Sequence, residues 1–372
     1  MKKIIAIFII RFELLLIVAI VASTYLSYRG FFPYREILDP YKIPQYISGF
    51  ANFDGVHYIK IAERGYDTFE QAFFPLFPLL IRAVVPFFSK NYFWAGFFVS
   101  NVAFILGCYF FMKLMHLYKK TDFRWLFCFM LTFPTAFFFS LIYTESLFFL
   151  LFMSSIYFLY TQKYNRAMIL AFLCSLTRLP GVFLVIPFFF YFFPSIKKIS
   201  FKKWLVIFSP LSGLALYSLY LAHTTGDPFF FINSQPAFGA NRSTSLVLLP
   251  QVYYRYLKIF LTASFSFAYV IALVELITFS LVFIIGSYEL WRSFKKKDYF
   301  EFSFACVSIL MILLPSLTGT FSSIPRYALF SFSTYFFLSR IKSKTLKLTF
   351  ALLFIFFQTL LFAYFIQGYF VS

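Results

Sequence analysis

A chain of 372 residues that is 61% hydrophobic and only 13% charged carries more apolar side chain than a soluble fold of that length can bury; ordinary globular chains are about half apolar and about a quarter charged. The apolar residues gather in stretches of about 15 to 30, the length scale of a lipid bilayer, so the sequence excludes a soluble enzyme and reads as an all-α integral membrane protein. Lys and Arg number 33 against 14 Asp and Glu, a formal +19, which in a membrane chain is first a matter of sidedness and not of nucleic-acid binding.

In chain order, Lys2 and Lys3 precede an apolar run interrupted by Arg11 and Glu13, with no clear small-residue cleavage site after it. This run, about 5–28, is expected to be an uncleaved first span. Later spans are expected near 93–116, 125–141, 143–161, 167–178, 180–194, 204–222, 258–290, 302–318, 326–339 and 347–369, about eleven in all. The basic clusters are Lys119, Lys120 and Arg124; Lys163 and Arg166; Lys197, Lys198, Lys202 and Lys203; Arg292 with Lys295, Lys296 and Lys297; and Arg340, Lys342, Lys344 and Lys347. With Lys2 and Lys3 inside, every cluster falls on the inner side, as the positive-inside rule requires. The expected N-terminus is therefore cytoplasmic, and most of the +19 records topology.

The outer side then receives two long loops, about 29–92 and 223–257, with Glu36, Asp39, Asp54, Glu63, Asp67, Glu70, Glu145 and Asp227. A single membrane domain over 1–372 carrying these loops is the simplest division. Segment 167–178 would rise about 18 Å as a helix, short of about 30 Å of hydrocarbon. Arg178 at its end is thus expected in a protein-lined or watered recess near the outer face. The 63 Phe read as a genome-level exchange for Leu within lipid, and Cys108, Cys128, Cys174 and Cys306 as small packing residues.

In the first outer loop, Lys60, Glu63, Arg64 and Asp67 recur at helical spacing as one polar stripe. Asp54, His57, Tyr58 and Ile61 share that spacing on another face, alongside residues that would pack on the membrane body. Asp54 therefore suits either a helix cap or chemistry. The prolines of 72–82 suit the start of a short helix lying along the outer surface.

Three further charges reach the same face: Glu145 after Tyr143-Thr144, Arg178 in Ser175-Leu176-Thr177-Arg178, and Arg326 after Pro325. Charges at span ends near lipid are costly and are usually paired or functional. One reading is a structural salt-bridge network such as Glu145 with Arg178. The other is a site for an anionic group, since the planar, permanently charged guanidinium suits phosphate. A phosphate at the lipid interface beside a carboxylate suggests transfer from a lipid-linked phosphosugar. A carboxylate would act as general base on an acceptor hydroxyl, arginines would stabilise the departing phosphate, and one base suffices for an inverting transfer.

The run Phe53-Asp54-Gly55-Val56-His57-Tyr58, continuing through Ile61-Ala62-Glu63-Arg64-Gly65-Tyr66 and Ala72-Phe73-Phe74-Pro75-Leu76-Phe77-Pro78-Leu79, resembles the first-loop signature of the PIG-V-like (GPI mannosyltransferase 2-related) membrane glycosyltransferases. Phe133-Pro134-Thr135-Ala136, Tyr143-Thr144-Glu145-Ser146, Thr177-Arg178 with Gly181, and Pro325-Arg326-Tyr327 extend the resemblance in order from about 50 to 330. The resemblance implies a GT-C type fold and a polyprenyl-phosphate donor, typically of mannose. It also implies reaction on the extracytoplasmic side, or the lumenal side of the ER membrane in a eukaryote. Its usual catalytic acid of the first outer loop maps onto Asp54.

Arg178 and Arg326 are then expected at the donor phosphate, and Glu145, His57, Tyr58 and Tyr327 as acceptor-binding or supporting groups. No metal or other cofactor is expected. Short loops and Lys-rich inner connections look bacterial, which would make the donor lipid undecaprenyl or similar and the acceptor a lipid-linked glycan or a protein.

Tyr253, Tyr254, Arg255, Tyr256 and Lys258 read as an interfacial anchor or a donor-phosphate contact, as does Arg242, and Asn241-Arg242-Ser243 as a chance sequon. His116 and His223 end spans on opposite sides. Glu275, inside the eighth span, keeps open a rival reading, a lipid or glycan transporter or flippase without catalysis.

Overall fold

The computed structural model describes residues 2–29, 35–118, 122–239 and 242–371. Lys119, Lys120 and Asn241 lie outside the described residues. In chain order the principal helices are α1 (Lys2–Tyr25), α2 (Asp54–Arg64), α3 (Leu76–Val84), α4 (Tyr92–Tyr118), α5 (Phe123–Thr132), α6 (Glu145–Tyr160), α7 (Tyr164–Ser175), α8 (Leu179–Lys197), α9 (Phe201–Thr225), α10 (Leu249–Thr262), α11 (Phe267–Lys295), α12 (Tyr299–Ser316), α13 (Ile324–Ala328), α14 (Phe332–Ser339) and α15 (Lys344–Ile366). No strand occurs among the described residues. Helices α1, α4, α8, α9, α11, α12 and α15 are long and apolar enough to cross a membrane, so this is a multi-pass membrane protein. Their outward faces carry large apolar side chains such as Leu281, Ile284, Leu352 and Phe356, which suit lipid and not water.

Seven long helices and several short ones stand where about eleven similar spans are expected. Three expected spans are broken. Segment 125–141 stops as a helix at Thr132, because Pro134 lacks an N–H and restricts the residue before it. Segment 258–290 divides into α10 and α11 at 263–266, where Ser266 caps α11 by accepting the Tyr269 N–H at 3.3 Å. Segment 326–339 divides into α13 and α14. Helix α7 has 12 residues, as short as its sequence suggests.

The break after α5 decides where the candidate site sits. Residues 136–144 are buried, yet only Ala136–Ser140 form a 3-10 turn, so their backbone polar groups need partners from elsewhere. Arg11 of α1 donates to the Ala136 carbonyl and to Ser140 Oγ, both at 2.5 Å. Ser100 Oγ of α4 donates to the Leu141 carbonyl at 2.5 Å, and Gln358 Nε2 of α15 to the Phe133 carbonyl at 2.7 Å. Ser146 Oγ reaches back to the Phe139 carbonyl at 2.6 Å, and the Ile142 N–H donates to the Phe50 carbonyl at 2.9 Å. The charge that interrupts the first span is thus a peg for this segment. Arg11→Leu is expected to lower stability by about 1–3 kcal/mol by leaving buried acceptors bare, read as a lowered thermal midpoint of the purified protein in detergent.

Helix α4 packs along α6, α6 along α7, and α7 along α9; α11 packs on α12 and α1 on α15. One large apolar cluster runs through most of these helices. The end of α7 is approached too closely for any side chain larger than hydrogen. A Cβ on Gly181 would lie 2.5 Å from Ser175 Cα, and one on Gly213 would lie 2.3 Å from the Phe172 carbonyl oxygen. These two contacts fix the turn from which Arg178 emerges.

Candidate active site

Glu145 is the first residue of α6, where the irregular segment 133–144 ends. That position favours a carboxylate, because the helix presents unpaired N–H groups and the positive end of its dipole. Its side chain is 1% exposed. Arg178 stands extended between α7 and α8, and Arg326 projects from α13, whose preceding residue Ser323 has φ +68°. Thr135 Oγ1 donates to the Pro325 carbonyl at 2.7 Å, tying the Arg326 turn to the irregular segment.

These side chains meet. Glu145 Oε1 is paired with Arg178 Nη1 and, at 3.2 Å, with Arg326 Nε. The second contact has ion-pair distance without hydrogen-bond alignment, and Glu145 Oε2 is buried with no hydrogen-bond partner. Arg326 Nη1 donates to Asp54 Oδ2 at 2.6 Å. Asp54 therefore does not cap α2; the cap position belongs to Phe53, at φ +59° and ψ −116°, which makes no side-chain cap bond. The Asp54 N–H instead donates to Tyr143 Oη at 3.2 Å, and Tyr143 donates to the Asn52 carbonyl at 2.8 Å. Asn52 Nδ2 donates in turn to the Phe365 carbonyl at 2.9 Å, which fastens the start of α2 to α15.

Exposure separates the two carboxylates. Asp54 is 26% exposed, against 1% for Glu145, 8% for Arg178 and 12% for Arg326, so Asp54 is the acid that a second molecule can reach. Burial alone would push its carboxyl up, but the charge and hydrogen bond of Arg326, with a contribution from Arg242, hold it below the usual carboxylate range. Aromatic rings complete the surroundings. The Arg178 guanidinium lies 4.9 Å from the Tyr327 ring, and that of Arg326 lies 5.5 Å from Tyr143 and 5.6 Å from Phe138.

His57 and Tyr58 serve the walls. His57 Nδ1 is 3.2 Å from Glu70 Oε1, and the imidazole stacks on Phe73 at 4.9 Å. Glu70 is 3% exposed and also takes Lys60 at 3.2 Å and the Asp67 N–H at 3.0 Å. Burial opposes its ionisation, but His57, the Asp67 N–H and Lys60 hold its carboxyl below the usual range. Tyr58 Oη lies 3.5 Å from Thr144 Oγ1. The expected Lys60 to Asp67 stripe leaves the helix at Gly65, φ +89°, yet the loop returns Asp67 to within 3.0 Å of Lys60. Among the described residues, no group of three or more His, Cys, Asp or Glu is gathered as metal ligands would be.

The weaker candidates fall into place around the segment leading to Arg326. Tyr256 Oη donates to Glu275 Oε2 at 2.5 Å and accepts the Phe321 N–H at 3.0 Å. Arg255 Nη1 donates to the Gly319 carbonyl at 2.9 Å, and Tyr253 Oη lies 2.9 Å from Ser280 Oγ. Tyr254 is exposed, as suits an interfacial anchor. His116 and His223 lie in the last turns of α4 and α9. Sequence reasoning did not single out Asn52 or Glu70 for the site, nor Tyr143 beyond its motif. Asp54-x-x-His57 with an acid 13 residues further on was the available signal for Glu70.

The four charges thus form a charge-balanced cluster at the meeting point of several helices, with Asp54 the more exposed of its two carboxylates. A family model described as Mannosyltransferase (PIG-V) matches residues 6–191, half of the chain. The chain belongs to the PIG-V mannosyltransferase family and is a membrane glycosyltransferase. No curated protein and no solved structure matches it. Asp54, Glu145 and Arg178 lie within the matched residues, whereas Arg242 and Arg326 lie beyond them.

Proposed function

We propose that the chain transfers a mannosyl residue from a polyprenyl phosphate to an acceptor hydroxyl on the extracytoplasmic side, with inversion at the anomeric carbon. The observation that carries this reading is the part-exposed Asp54 carboxylate bound to Arg326 beside the buried Glu145 and Arg178. The orientation is supported by charges at the other ends of the helices: Lys163 stands between α6 and α7, at the ends of those helices away from Glu145 and Arg178, and Arg340 follows α14, and the positive-inside rule assigns such connections to the cytoplasm.

In the transfer, the acceptor oxygen forms a bond to the anomeric carbon from the face opposite the phosphate. Its proton passes to an Asp54 carboxylate oxygen. The bond from the anomeric carbon to the phosphate oxygen breaks, and its electron pair leaves with the polyprenyl phosphate. Arg326 serves both ends of the step. While it binds Asp54 it holds a weak base in readiness; when the donor phosphate competes for its guanidinium, Asp54 is released and becomes more basic. Glu145 and Arg178 hold the far edge of Arg326 so that it turns without leaving. Tyr58, beside Thr144, and Tyr327, beside Arg178, would contact sugar or acceptor, and His57 with Glu70 holds the first loop against Phe73.

The rival reading, transport without chemistry, loses its main support at Glu275. That side chain is 5% exposed and is taken by the Tyr256 hydroxyl, so it does not line an open path.

The test is a donor screen with the purified protein in lipid vesicles, supplying mannose on polyprenyl phosphate or on a nucleotide. Acceptor-dependent release of polyprenyl phosphate, with product of opposite anomeric configuration, is expected. Transfer from the nucleotide donor alone, or retention of configuration, would sink the corresponding half of the proposal.

A further inference from the structure

The two carboxylates and two guanidiniums of the site cancel, so an arriving phosphate finds no spare cation there unless it displaces a carboxylate. Arg242, on the second long loop, is bonded differently. Its Nη1 donates to Gln235 Oε1 at 2.7 Å and its Nη2 to Ser323 Oγ at 3.2 Å, and both acceptors are neutral. Ser323 is the cap residue of α13, three positions before Arg326. The Ser243 N–H donates to the Thr318 carbonyl at 2.8 Å and the Val247 N–H to the Leu317 carbonyl at 2.9 Å, so this loop lies along the segment that leads to Arg326. Four residues before Arg242, Phe238 meets His57 edge-on at 5.2 Å and Phe73 at 5.0 Å. The second loop thus bridges the helix that carries Asp54 and the turn that carries Arg326, and it holds Arg242 in that neighbourhood. The positive charge of Arg242 is one of those that depress the Asp54 carboxyl.

We infer that Arg242 is the group that receives the phosphate of the lipid-linked donor, with Gln235 and Ser323 holding its guanidinium in position until the anion arrives. The inference rests on the proposed polyprenyl-phosphate donor. A donor phosphodiester carries one negative charge and the departing phosphomonoester up to two, so the same arginine holds the product more tightly than the substrate. Arg178 and Arg326, expected from sequence at the phosphate, are already matched by Glu145 and Asp54. They are positioned to respond to the phosphate, and Arg242 to capture it. The neutral acceptors around Arg242 matter here, because its guanidinium can take an anion without first giving up a carboxylate.

The experiment compares inhibition by polyprenyl phosphate with inhibition by the uncharged polyprenol, in wild type, Arg242→Gln and Arg242→Lys, in vesicles. Wild type is expected to prefer the phosphate. Arg242→Gln is expected to weaken phosphate inhibition and to raise the donor KM, each by about tenfold or more, the worth of a charge-assisted hydrogen bond, with the acceptor KM unchanged. Arg242→Lys, which keeps the charge without the fork, is expected to fall between. Wild type inhibited equally by phosphate and polyprenol would overturn the donor reading itself. Wild type that prefers the phosphate, with Arg242→Gln preferring it as strongly, would overturn only the role of Arg242. If Arg242→Gln does not fold, Arg242→Lys decides: phosphate preference equal to wild type overturns the inference, and a severalfold loss supports it.

Discussion

Replacing Asp54 by Asn is expected to reduce mannosyl transfer by about 10²–10⁴-fold, the usual contribution of a positioned general base, while the protein still inserts and folds. The substitution keeps the size of the side chain and removes its charge. Arg326 retains Glu145 at 3.2 Å, so the guanidinium is not left alone in the protein, and the amide oxygen of Asn can still accept from Arg326, so less structure is lost than when a carboxylate is truncated. Turnover by purified protein in vesicles, set beside its thermal midpoint, separates the two effects; a folded variant with wild-type turnover would rule Asp54 out as the base. The depressed carboxyl adds a signature in pH. A base held below the usual carboxylate range by Arg326 is deprotonated across the neutral range, so the acid limb of kcat/KM, which reports the free enzyme, belongs at low pH. If the donor phosphate draws Arg326 away, the limb of kcat, which reports the bound enzyme, lies at higher pH. The native pairing stabilises the ionised carboxylate, so its contribution to stability is present above the unfolded pKa and is lost as pH falls through the folded one.

The second large effect falls on stability. Glu145→Ala leaves Arg178 and Arg326 buried with Asp54 as the single remaining carboxylate, and breaking a buried pair in this way costs about 3–5 kcal/mol. The expected result is a protein that unfolds at much lower temperature in detergent, or that is not recovered at all. Glu145→Gln with Arg178→Met removes one charge of each sign and is expected to be more stable than Glu145→Ala alone. A double variant no better than the single would show that Glu145 acts through something other than the charge of Arg178. Because Glu145 is 1% exposed while Asp54 is 26% exposed, the two acids are expected to separate cleanly, one failing mainly in structure and the other mainly in rate.

Because charge clusters and apolar runs are legible residue by residue, sidedness was enough to expect Asp54, Glu145, Arg178 and Arg326 near one another, and they do meet. Glu145 with Arg178 was already one reading of the sequence and is found; that Arg326 meets Asp54 was not legible. Arg326 and Asp54 are 272 positions apart, and no periodicity reports a contact of that reach. The stops at 133–144 and 263–266 did carry local signals, Pro134 in the first and Ser264 with Ser266 in the second, but the long apolar runs on either side outweighed them. The first is stabilised by donors that arrive from Arg11, Ser100 and Gln358, and a window along the chain sees none of them. Asp54 at the start of a helical pattern looks like a cap by composition alone, yet Phe53 takes the cap position, and the carboxylate is free to reach Arg326. His57 shows the same limit: its spacing from Asp54 was visible, whereas its pairing with Glu70 depends on how the loop returns after Gly65.

The left-handed backbone at Phe53 and at Ser323 has a consequence for how this protein can change. Each stands immediately before the short helix that carries one member of the Asp54–Arg326 pair, and a non-glycine residue held there costs about 1–3 kcal/mol. The surrounding aromatic packing, Phe53 against Phe365 at 5.4 Å and Phe370 at 5.5 Å, keeps the chain in that shape. Substitutions that let these turns relax would make the molecule sturdier and its charged pair less well aimed. Hardiness and aim therefore pull in opposite directions at these two residues, and under the proposed mechanism a chain that drifted toward the first would lose transfer with its fold intact.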